Sequence, residues 1–322
     1  MRPFRFGTYP FPFNLTNGKV WIKHVQEIEK LGYSTLMYPD HFPTRIADPI
    51  TLLASAAATT KTLNIGTLVF DIDFRHPAIL AKTATSLHIL SQGRYEFGIG
   101  AGWMKEDYDW TGIPYDPPYK RIKRLEEGLK IIKSMWTTDK TTFNGKHYKV
   151  TDIPQAGELS EGEQPKIIVG GGGKMLLKVA GRHADIVGIH VNLHDRSTEG
   201  RIAAHRTASY EEINKRIKWV KDSALASGRD PEKIEFQMLC PFVEITDDPD
   251  SVLEQLTESY DGQISVDEFW DSPRVLVGSG SFVREKVVKL RAETGINYIV
   301  AWPRTKEVHE LFSKEVIKPL TK

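Results

Sequence analysis

Two adjacent residues, Asp40 and His41, carry side chains that are well suited to proton transfer. A carboxylate can orient a neighbouring imidazole, and an imidazole exchanges protons near neutral pH. The pair comes just after Thr35–Tyr38, a short apolar run of strand character. Without further context the pair could also be a helix cap beside a structural histidine, so its meaning depends on the element that carries it.

Four consecutive glycines, Gly170–Gly173, form a second signal, which concerns binding rather than catalysis. They follow an apolar run, Ile167–Val169, and precede a helical pattern that begins at Lys174. A strand, a glycine turn and a helix in this order bring backbone N–H groups close to a phosphate. The run is neither GxGxxG nor GxxxxGK[ST], so the motif does not identify a nucleotide. A plain tight turn is the alternative interpretation.

Both signals belong to a regular alternation of short apolar runs and helical patterns. Strands are predicted at Phe4–Thr8, Thr35–Tyr38, Leu63–Leu68, Tyr95–Ile99, Ile167–Val169, Ile186–His190, Glu235–Ile245 and Tyr298–Ala301. Such alternation is typical of a parallel sheet. Eight repeats in 322 residues favour a (β/α)8 TIM barrel, an α/β fold, over two doubly wound halves. We therefore expect one barrel domain over residues 1–322.

Two segments interrupt this alternation and are expected to lie over the C-terminal mouth of the barrel. The first covers about 137–165 and contains Asn144–Gly145, a strong turn signal for a β-hairpin. The second covers about 191–209 and is polar. We place both segments there because the functional loops of a barrel concentrate at one mouth.

The position of Asp40 and His41 favours a catalytic role, because the active sites of TIM barrels lie at the C-terminal ends of the strands. Aromatic residues, glycines and a few polar groups follow the other predicted strands in the same way. They are Tyr9–Phe11, Val69–Asp73, Gly100–Trp103, Gly170–Gly173, His190–Asn192, Cys240–Phe242 and Trp302–Arg304. Together they predict a site for a flat, largely apolar ligand that carries a phosphate tail.

Charge and composition argue against several other classes of protein. The chain has 43 basic and 42 acidic side chains, which gives no sign of a nucleic-acid groove or a membrane-seeking surface. Its single cysteine, Cys240, excludes a disulfide framework and indicates a reducing, cytoplasmic location. A metal hydrolase would need several ligands at strand ends, whereas Asp71 and His190 stand singly there, so no metal site is predicted.

Several segments together resemble the bacterial luciferase-like superfamily, and most closely its branch of deazaflavin-dependent oxidoreductases. They are MRPFRFG, YSTLMYPDHF, IGTLVFDIDFRHPAILAK, QGRYEFGIGAGWMKEDY, PKIIVGGGGKMLLKVAGRHADIVGI and RVLVGS, which occur in this order along nearly the whole chain. The resemblance implies a (β/α)8 barrel that binds FMN or the deazaflavin coenzyme F-420 in its mouth. This fold agrees with the strand count above.

The resemblance also assigns residues to the cofactor. The resemblance places Asp40 and His41 beside the reactive edge of the cofactor ring. His41 would be the general acid or base, and Asp40 would either orient His41 or form a hydrogen bond to the cofactor ring. The resemblance matches Leu68 and Val69 to a bulge of the third strand, which commonly holds a non-proline cis peptide behind the ring. The other expected cofactor contacts are Asp71 at a ring edge, Gly100, Ala101 and Gly102 along the backbone, and Gly171, Gly172 and Gly173 at the phosphate.

The substrate side departs from one branch of the superfamily. Its sugar-phosphate dehydrogenases carry glutamate at the position of Trp103 and tryptophan at the position of Arg45. They hold the sugar phosphate with lysine and threonine near the end of the sixth strand, where this chain has His190 and its neighbours. A sugar phosphate is therefore not expected.

Aromatic side chains instead favour an apolar or aromatic compound, namely Phe11, Trp103, Phe242 and Trp302. The expected substrate pocket consists of Phe11, Arg45, Trp103, His190 and Trp302. Either Arg45 or Arg304 is a candidate anchor for a substrate carboxylate.

The predicted function is hydride transfer between a bound deazaflavin or FMN and a small organic substrate. One alternative is an FMN-dependent monooxygenase that uses molecular oxygen, and another is a non-catalytic flavin-binding protein. The expected partners are a small-molecule substrate and a flavin-type cofactor, with neither nucleic acid nor a membrane. A homodimer is a further expectation, because members of the superfamily are often dimers.

Overall fold

Eight parallel strands close into a barrel in the computed structural model, which describes residues 2–10, 17–42, 47–159, 162–191 and 195–321. In chain order the strands are β1 Arg5–Thr8, β2 Thr35–Tyr38, β3 Asn64–Thr67, β4 Phe70–Asp71, β5 Tyr95–Gly100, β6 Lys140–Asn144, β7 Lys149–Pro154, β8 Lys166–Gly171, β9 Ile186–Ile189, β10 Glu235–Cys240, β11 Phe242–Ile245, β12 Val275–Gly278 and β13 Tyr298–Ala301. Around the barrel the order is β1, β2, β3, β5, β8, β9, β10 and β13, which pairs again with β1. The predicted TIM barrel is confirmed.

Helices follow the barrel strands and cover the outside of the barrel. They are α1 Gly18–Lys30, α2 Pro49–Thr59, α3 Pro77–Leu90, α4 Lys105–Thr111, α5 Pro118–Thr137, α6 Lys174–His183, α7 Thr198–Arg206, α8 Tyr210–Ala226, α9 Pro249–Ser259, α10 Val266–Asp271, α11 Gly280–Thr294, α12 Lys306–Phe312 and α13 Lys318–Thr321. Local sequence explains their ends: the Asp48 carboxylate accepts a bond from the Thr51 N–H at 2.9 Å, and Pro49 opens α2. In the described part of the chain, no helix is long and apolar enough to cross a bilayer.

Apolar side chains fill both sides of the barrel wall. Outward-facing residues such as Phe97 and Ile99 pack against the helices. Inside the barrel, the packed residues are Tyr9, Met37, Leu68, Ile168, Ile186, Tyr298 and Val300. The barrel is therefore a close-packed core that fixes the strand ends, and the first residues of the loops that follow them, relative to one another.

The third barrel strand is interrupted at the peptide bond between Leu68 and Val69, which is cis. β3 ends just before this bond, and β4 resumes the pairing with β5 just after it. The bulge that the resemblance implies at these two residues is confirmed. It brings Asp71, the last residue of β4, to the C-terminal mouth.

The prediction of a single strand over Glu235–Ile245 is wrong. β10 ends at Cys240 and β11 begins at Phe242, because Pro241 has no N–H to donate to the barrel ladder. β11 leaves the barrel and pairs in parallel with β12. This two-stranded sheet encloses a separate apolar cluster together with residues of α9 and α10.

The two insertions differ in where they lie. The first forms the predicted hairpin, made of β6 and β7. Glu127, near the middle of α5, accepts bonds from the backbone N–H groups of Lys146, His147 and Tyr148 at 3.0, 2.8 and 3.1 Å. The hairpin therefore lies along α5, and its Tyr148 ring packs against His76, the N-cap of α3, with ring centroids 5.5 Å apart. Its predicted position over the C-terminal mouth stays a prediction. The second insertion follows β9 at that mouth and contains α7, a helix that its polar sequence did not indicate.

Candidate active site

His41 follows β2 at the C-terminal mouth, and Asp107 of α4 fixes its ring. The Nδ1 atom of His41 lies 2.6 Å from Oδ2 of Asp107, and the backbone N–H of Phe42 donates to Oδ1 of the same carboxylate at 2.9 Å. Asp107 is buried, whereas 25% of the His41 side chain is exposed. Because Nδ1 is occupied by this bond, Nε2 is the ring nitrogen that is available for chemistry.

Asp40 does not bind the His41 ring, and its carboxylate is hydrogen-bonded to Arg75 and Asp71 instead. Its Oδ2 accepts bonds from Nη1 of Arg75 at 2.6 Å and from the backbone N–H of Asp71 at 3.2 Å. Burial raises the pKa of the Asp40 carboxyl, and the bonds from Arg75 oppose this effect. In the described contacts, the orienting role that the resemblance offered to Asp40 falls to Asp107. A bond from Asp40 to a cofactor ring stays a prediction.

Asp71 lies at the centre of a second buried acidic group. Its Oδ2 accepts a bond from the Tyr108 hydroxyl at 2.7 Å, and its Oδ1 accepts one from the Asp73 N–H at 2.9 Å. Burial, with smaller contributions from the charges of Asp73 and Asp40, raises the pKa of Asp71 to about 7, although the bonds from Asp73 and Tyr108 oppose the increase. Arg124 binds Asp73 through two bonds of 2.8 and 2.6 Å. Asp71 therefore changes its protonation state near neutral pH.

The glycines that follow β5 are explained by protein atoms. A Cβ on Gly100 would lie 2.7 Å from the side chain of Val69. Gly102 has a φ of 67°, and a Cβ there would overlap the Tyr108 hydroxyl and the Asp71 carboxylate. Close packing alone thus requires glycine at both positions. Contact between their backbone and a cofactor stays a prediction.

The loop that carries Trp103 is clamped by α5. The buried Arg121 donates through Nη1 to the carbonyl oxygens of Ala101 and Gly102, at 3.2 and 2.7 Å. The Tyr115 hydroxyl donates to the Trp103 carbonyl at 2.8 Å and accepts a bond from Nη2 of Arg121 at 3.2 Å. These bonds fix the backbone on both sides of the tryptophan.

One aromatic ring packs against the imidazole. The rings of Trp103 and His41 meet edge to face, with centroids 5.8 Å apart and planes at 88°. The next residue, Phe42, packs against Phe74 with ring centroids 5.2 Å apart. The structure therefore brings Trp103 beside His41, and large apolar rings lie at this point of the mouth.

The four-glycine run joins β8 to α6, as the sequence indicates. β8 extends through Gly171, and α6 begins at Lys174 with Gly173 as its N-cap. Since a glycine N-cap has no side chain, the N–H groups of the first helical turn are left for another acceptor. The buried Arg216 donates through Nε to the carbonyl of Gly172 at 3.2 Å. This turn can bind an anion, which is what a phosphate requires.

His190 lies inside the barrel, below this turn. A Cβ on Gly170 or Gly188 would lie 2.7 or 2.5 Å from Nε2 of His190, so two glycines make room for its ring. Burial, and to a smaller extent the positive charge of Arg274, lower the pKa of His190 to about 4. The ring is therefore neutral near neutral pH and can both donate and accept a hydrogen bond. Arg274, which donates to the carbonyl of Leu239 at 3.2 Å, was not among the predicted residues.

Of the remaining residues predicted for the pocket, the structure describes two and leaves two outside the described ranges. Trp302 follows β13 and packs against Tyr9, with ring centroids 5.0 Å apart. The guanidinium of Arg304 covers the Trp302 ring at 3.7 Å. Phe11 and Arg45 lie outside the described residues, so their roles in the pocket stay predictions.

Sequence reasoning missed Asp107 and Tyr108, which complete the site. Both lie on α4, a helix of seven residues that is too short to show a clear apolar period. Acidic residues in its first turn and Gly112, which ends it with a φ of 72°, are signals that could have located the helix. No spacing rule pairs Asp107 with His41, because 66 positions separate them in the sequence.

These features define a class of protein. A closed (β/α)8 barrel carries, at the C-terminal ends of its strands, an imidazole bound to a carboxylate, a glycine turn that begins a helix, and aromatic side chains. No three His, Cys, Asp or Glu side chains within the described ranges are grouped so that they could hold a metal ion. An imidazole can exchange a proton, and the first turn of a helix can accept an anion.

The chain belongs to the luciferase-like monooxygenase family, whose profile matches residues 18–297. The match begins with α1 and ends at the residue before β13. The resemblance drawn from the sequence motifs is confirmed at the level of the family.

Individual relatives agree with this membership. The chain is 30% identical to an F420-dependent glucose-6-phosphate dehydrogenase of Amycolatopsis mediterranei over 172 residues, and the match spans about half the length of either chain, 51% of each. An F420-dependent tetrahydromethanopterin reductase from Methanopyrus kandleri superposes with a TM-score of 0.78 at 19% identity, covering 99% of this chain and 100% of that one. A long-chain alkane monooxygenase gives a TM-score of 0.77 at 17% identity, covering 99% and 91%. At these identities the two solved structures establish a shared fold.

Proposed function

We propose that the protein is an oxidoreductase that transfers a hydride between a bound flavin-type cofactor and a small organic substrate. The observation that carries this proposal is the His41–Asp107 pair at the barrel mouth. Hydride transfer to or from a polar bond requires a proton at the neighbouring atom, and an oriented imidazole can supply or accept it. Family membership and the similarity to a dehydrogenase support the proposal.

The proposed cofactor is FMN or the deazaflavin coenzyme F-420. Gly171, Gly172 and Gly173 would hold its phosphate together with the first turn of α6, which offers backbone N–H groups and the positive end of a helix. The bulge at Leu68–Val69 would lie behind the ring, and Asp40, Asp71, Gly100, Ala101 and Gly102 would contact its edge. When bound, the ring supplies the redox chemistry.

The residues of the chain would handle the proton and the surroundings. His41 would take or give a proton at Nε2 while Asp107 keeps the other nitrogen occupied. Trp103 packs against the imidazole and would exclude water from that side. Arg75 places a positive charge next to Asp40, so that Asp40 could accept a hydrogen bond from the ring without leaving a net charge at the mouth.

The proposed substrate is apolar or aromatic rather than a sugar phosphate. Trp103 and Trp302 present large apolar surfaces at the mouth. His190 offers a hydrogen bond but no charge to a phosphate, because burial lowers its pKa to about 4. The positive charge near His190 is that of Arg274, so a carboxylate on the substrate is compatible with this side of the pocket. In this respect we propose that the chain differs from its relative named for glucose 6-phosphate.

An FMN-dependent monooxygenase that uses molecular oxygen is the second candidate. The apolar mouth and the structural similarity to a long-chain alkane monooxygenase favour it. Cofactor identity separates the two candidates, because a deazaflavin lacks the ring nitrogen that oxygen activation by flavins needs. A non-catalytic flavin-binding protein would bind the cofactor but show no substrate-dependent change in its redox state.

Parallel titrations of the purified protein with FMN and with the deazaflavin, followed by cofactor fluorescence, test the proposal. Tight binding of the deazaflavin alone supports hydride transfer and removes oxygen chemistry. Tight binding of FMN alone supports the monooxygenase and makes an oxygen-consumption screen the next step. Binding of neither cofactor contradicts both candidates.

Charge reversal tests the phosphate assignment. Lys174 is the first residue of α6, and Lys178 lies one helical turn further along the same exposed side. Lys174→Glu is expected to weaken cofactor binding by about 5-fold or more, since it places a negative charge at the helix start. Lys178→Glu is the matched control and should have a smaller effect. Equal effects of the two variants would contradict a phosphate at the turn.

We also propose a cytoplasmic homodimer in which each subunit is a single barrel domain over residues 1–322. The exposed side chains of Ile79, Ile89 and Leu90 on α3 support a contact between two copies. Light scattering at several concentrations checks the mass. A monomer at every concentration contradicts the dimer.

A further inference from the structure

We propose that Asp107 is the positioning residue of the site, which sets the tautomer and the direction of the His41 ring. The structural part of this inference stands on the hydrogen bonds of the loop after β2. Its catalytic consequence rests on the proposed function, in which His41 exchanges a proton with the substrate.

Asp107 is turned away from solvent on a helix whose neighbouring charges face solvent. Lys105 and Asp109 pair with each other across one turn of α4, with 63% and 53% of their side chains exposed. The Asp107 side chain is 3% exposed. A buried carboxylate is costly unless it is hydrogen-bonded, and the two bonds that it makes to other described elements both go to the loop after β2.

One carboxylate fixes two consecutive residues of that loop. Oδ2 lies 2.6 Å from Nδ1 of His41, and Oδ1 accepts the Phe42 N–H at 2.9 Å. The bond to Phe42 fixes the backbone that carries the imidazole, and the bond to Nδ1 fixes the ring itself. The edge-to-face contact with Trp103 restrains the ring plane from a second direction.

The bonding pattern determines the tautomer. An ionised carboxylate can only accept hydrogen bonds, so the proton of a neutral His41 must lie on Nδ1. Nε2 then carries the lone pair, and it is the atom that can accept a proton from a substrate. When Nε2 gains that proton, the Nδ1–H stays in place and Asp107 stays ionised, as in other carboxylate–histidine pairs.

The carboxylate of Asp40, which immediately precedes His41, does not bind the imidazole. Asp40 is bound to the guanidinium of Arg75 at 2.6 Å. The only ion pair of Asp107 within the described residues is with His41. The negative charge of Asp107 is therefore available to stabilise an imidazolium, whereas that of Asp40 is already matched.

Nitrogen NMR of the full-length, cofactor-loaded protein with 15N-labelled histidine tests the tautomer directly. His41→Asn identifies the His41 signals by their loss. At a pH where the spectrum no longer changes, the wild-type ring is expected in the Nδ1–H form. Asp107→Asn should admit the Nε2–H form, because an amide can present either a donor or an acceptor. Asp109→Asn, on the exposed side of the same helix, should leave the signals unchanged.

Steady-state kinetics then separate this inference from the proposed function. Asp107→Asn is expected to lower kcat at least about 10-fold with KM changed less than about 3-fold, since it misorients the base without touching the substrate. Asp109→Asn should change neither constant.

The two claims fail in different ways. If His41→Asn abolishes turnover while Asp107→Asn keeps both the rate and the tautomer, the role of Asp107 is overturned and the proposed function stands. If His41→Asn keeps full turnover, the proposed function fails, and the NMR result still decides the tautomer. A dominant Nε2–H form in the wild-type protein overturns the inference even if Asp107→Asn does not fold.

Discussion

The two mouths of the barrel use similar side chains, but they differ in whether an atom is left to react. At the N-terminal mouth, Arg5 lies between Glu96 and Glu235 and covers the ring of Tyr298 at 4.1 Å. The Tyr298 hydroxyl donates to Glu96 at 3.0 Å, and Asn297 donates to Glu235 at 2.7 Å. Burial lowers the pKa of Arg5, but Glu96, Tyr298 and Glu235 together raise it well above its usual range. In this network one guanidinium bridges two buried carboxylates, and each carboxylate also accepts a bond from a neutral side chain.

At the C-terminal mouth the hydrogen bonding is incomplete. His41 binds Asp107 through Nδ1, and its Nε2 has no hydrogen-bond partner among the described residues. Asp71 changes protonation near neutral pH, because burial raises its pKa to about 7. Burial with complete pairing gives rigidity, whereas burial with partial pairing leaves protons that can move. Cavity size does not reveal this difference, since a cavity of about 880 Å³ lies beside Arg5 at the N-terminal mouth.

Breaking the N-terminal network should have the largest effect, and the effect should be on stability. Arg5→Met leaves Glu96 and Glu235 buried without their cation, so the free energy of unfolding is expected to fall by about 3–5 kcal/mol. Urea denaturation measures the loss. Lys218→Met, which breaks an exposed pair with Asp222, is the control and should cost less than about 1 kcal/mol. If the free energy of unfolding falls no more for Arg5→Met than for the control, the N-terminal network does not contribute more to stability than an exposed ion pair.

The pH dependence of stability should mark the C-terminal mouth. Because burial raises the pKa of Asp71 from 3.8 to about 7, the folded state binds its proton more tightly than the unfolded state does. This contribution to the free energy of unfolding is complete below about pH 4 and is lost as the pH rises through 7, with an upper limit of about 4 kcal/mol.

Asp71→Asn removes that titration. The stability of the variant relative to the wild type should therefore rise between about pH 4 and 7 and be constant above it. Chemical denaturation at a series of pH values checks the difference, with the exposed Asp109→Asn as the control. A difference that does not change across this interval would show that Asp71 does not titrate there.

The barrel could be predicted from the sequence because each strand is a short apolar run that is followed by a helical pattern. The elements that were missed are those without such a period. α4 has seven residues and α10 has six, while α7 is polar on most of its surface. The break at Pro241 was visible as a proline, but only the pairing of β11 with β12 shows that the chain leaves the barrel there.

The site was predictable where a residue type and a strand end coincide, as they do at His41. The partner of His41 was not predictable, because it depends on how a short helix crosses the mouth. For the glycines, too, the sequence does not reveal which residues are their neighbours in space. The sequence marks Gly100 and Gly102 as special, but only the structure shows that Val69, Tyr108 and Asp71 fill the space beside them.

Replacing the imidazole of His41 should change turnover much more than stability, whereas Arg5→Met at the N-terminal mouth should change mainly stability. His41→Asn keeps an N–H close to the position of Nδ1, so Asp107 retains a partner and the free energy of unfolding should change by less than about 1 kcal/mol. Turnover should fall about 100-fold or more, because an amide does not exchange protons near neutral pH. Cofactor titration is expected to give nearly the wild-type affinity. Full turnover in this variant would remove His41 from the mechanism.

The smallest changes in the side chains themselves are deletions of one tyrosine hydroxyl at each mouth. Tyr298→Phe removes a bond to a buried carboxylate and should cost about 1.5–3 kcal/mol of stability. Tyr115→Phe, at a partly buried side chain, removes the bond to the Trp103 carbonyl and the longer bond from Arg121, and should cost about 1 kcal/mol.

The two hydroxyl variants differ in what they should do to turnover, and this difference is the sharpest form of the comparison. Tyr298→Phe leaves every residue of the C-terminal mouth in place, so kcat and KM of the folded protein should not change. Tyr115→Phe loosens the loop that sets Trp103 against His41, and we expect a change of about 3-fold in KM. If the less destabilised variant is the only one with altered kinetics, stability and catalysis are separated along the barrel axis. If both variants retain wild-type kinetics, Trp103 does not wall the substrate pocket, even though it packs against His41.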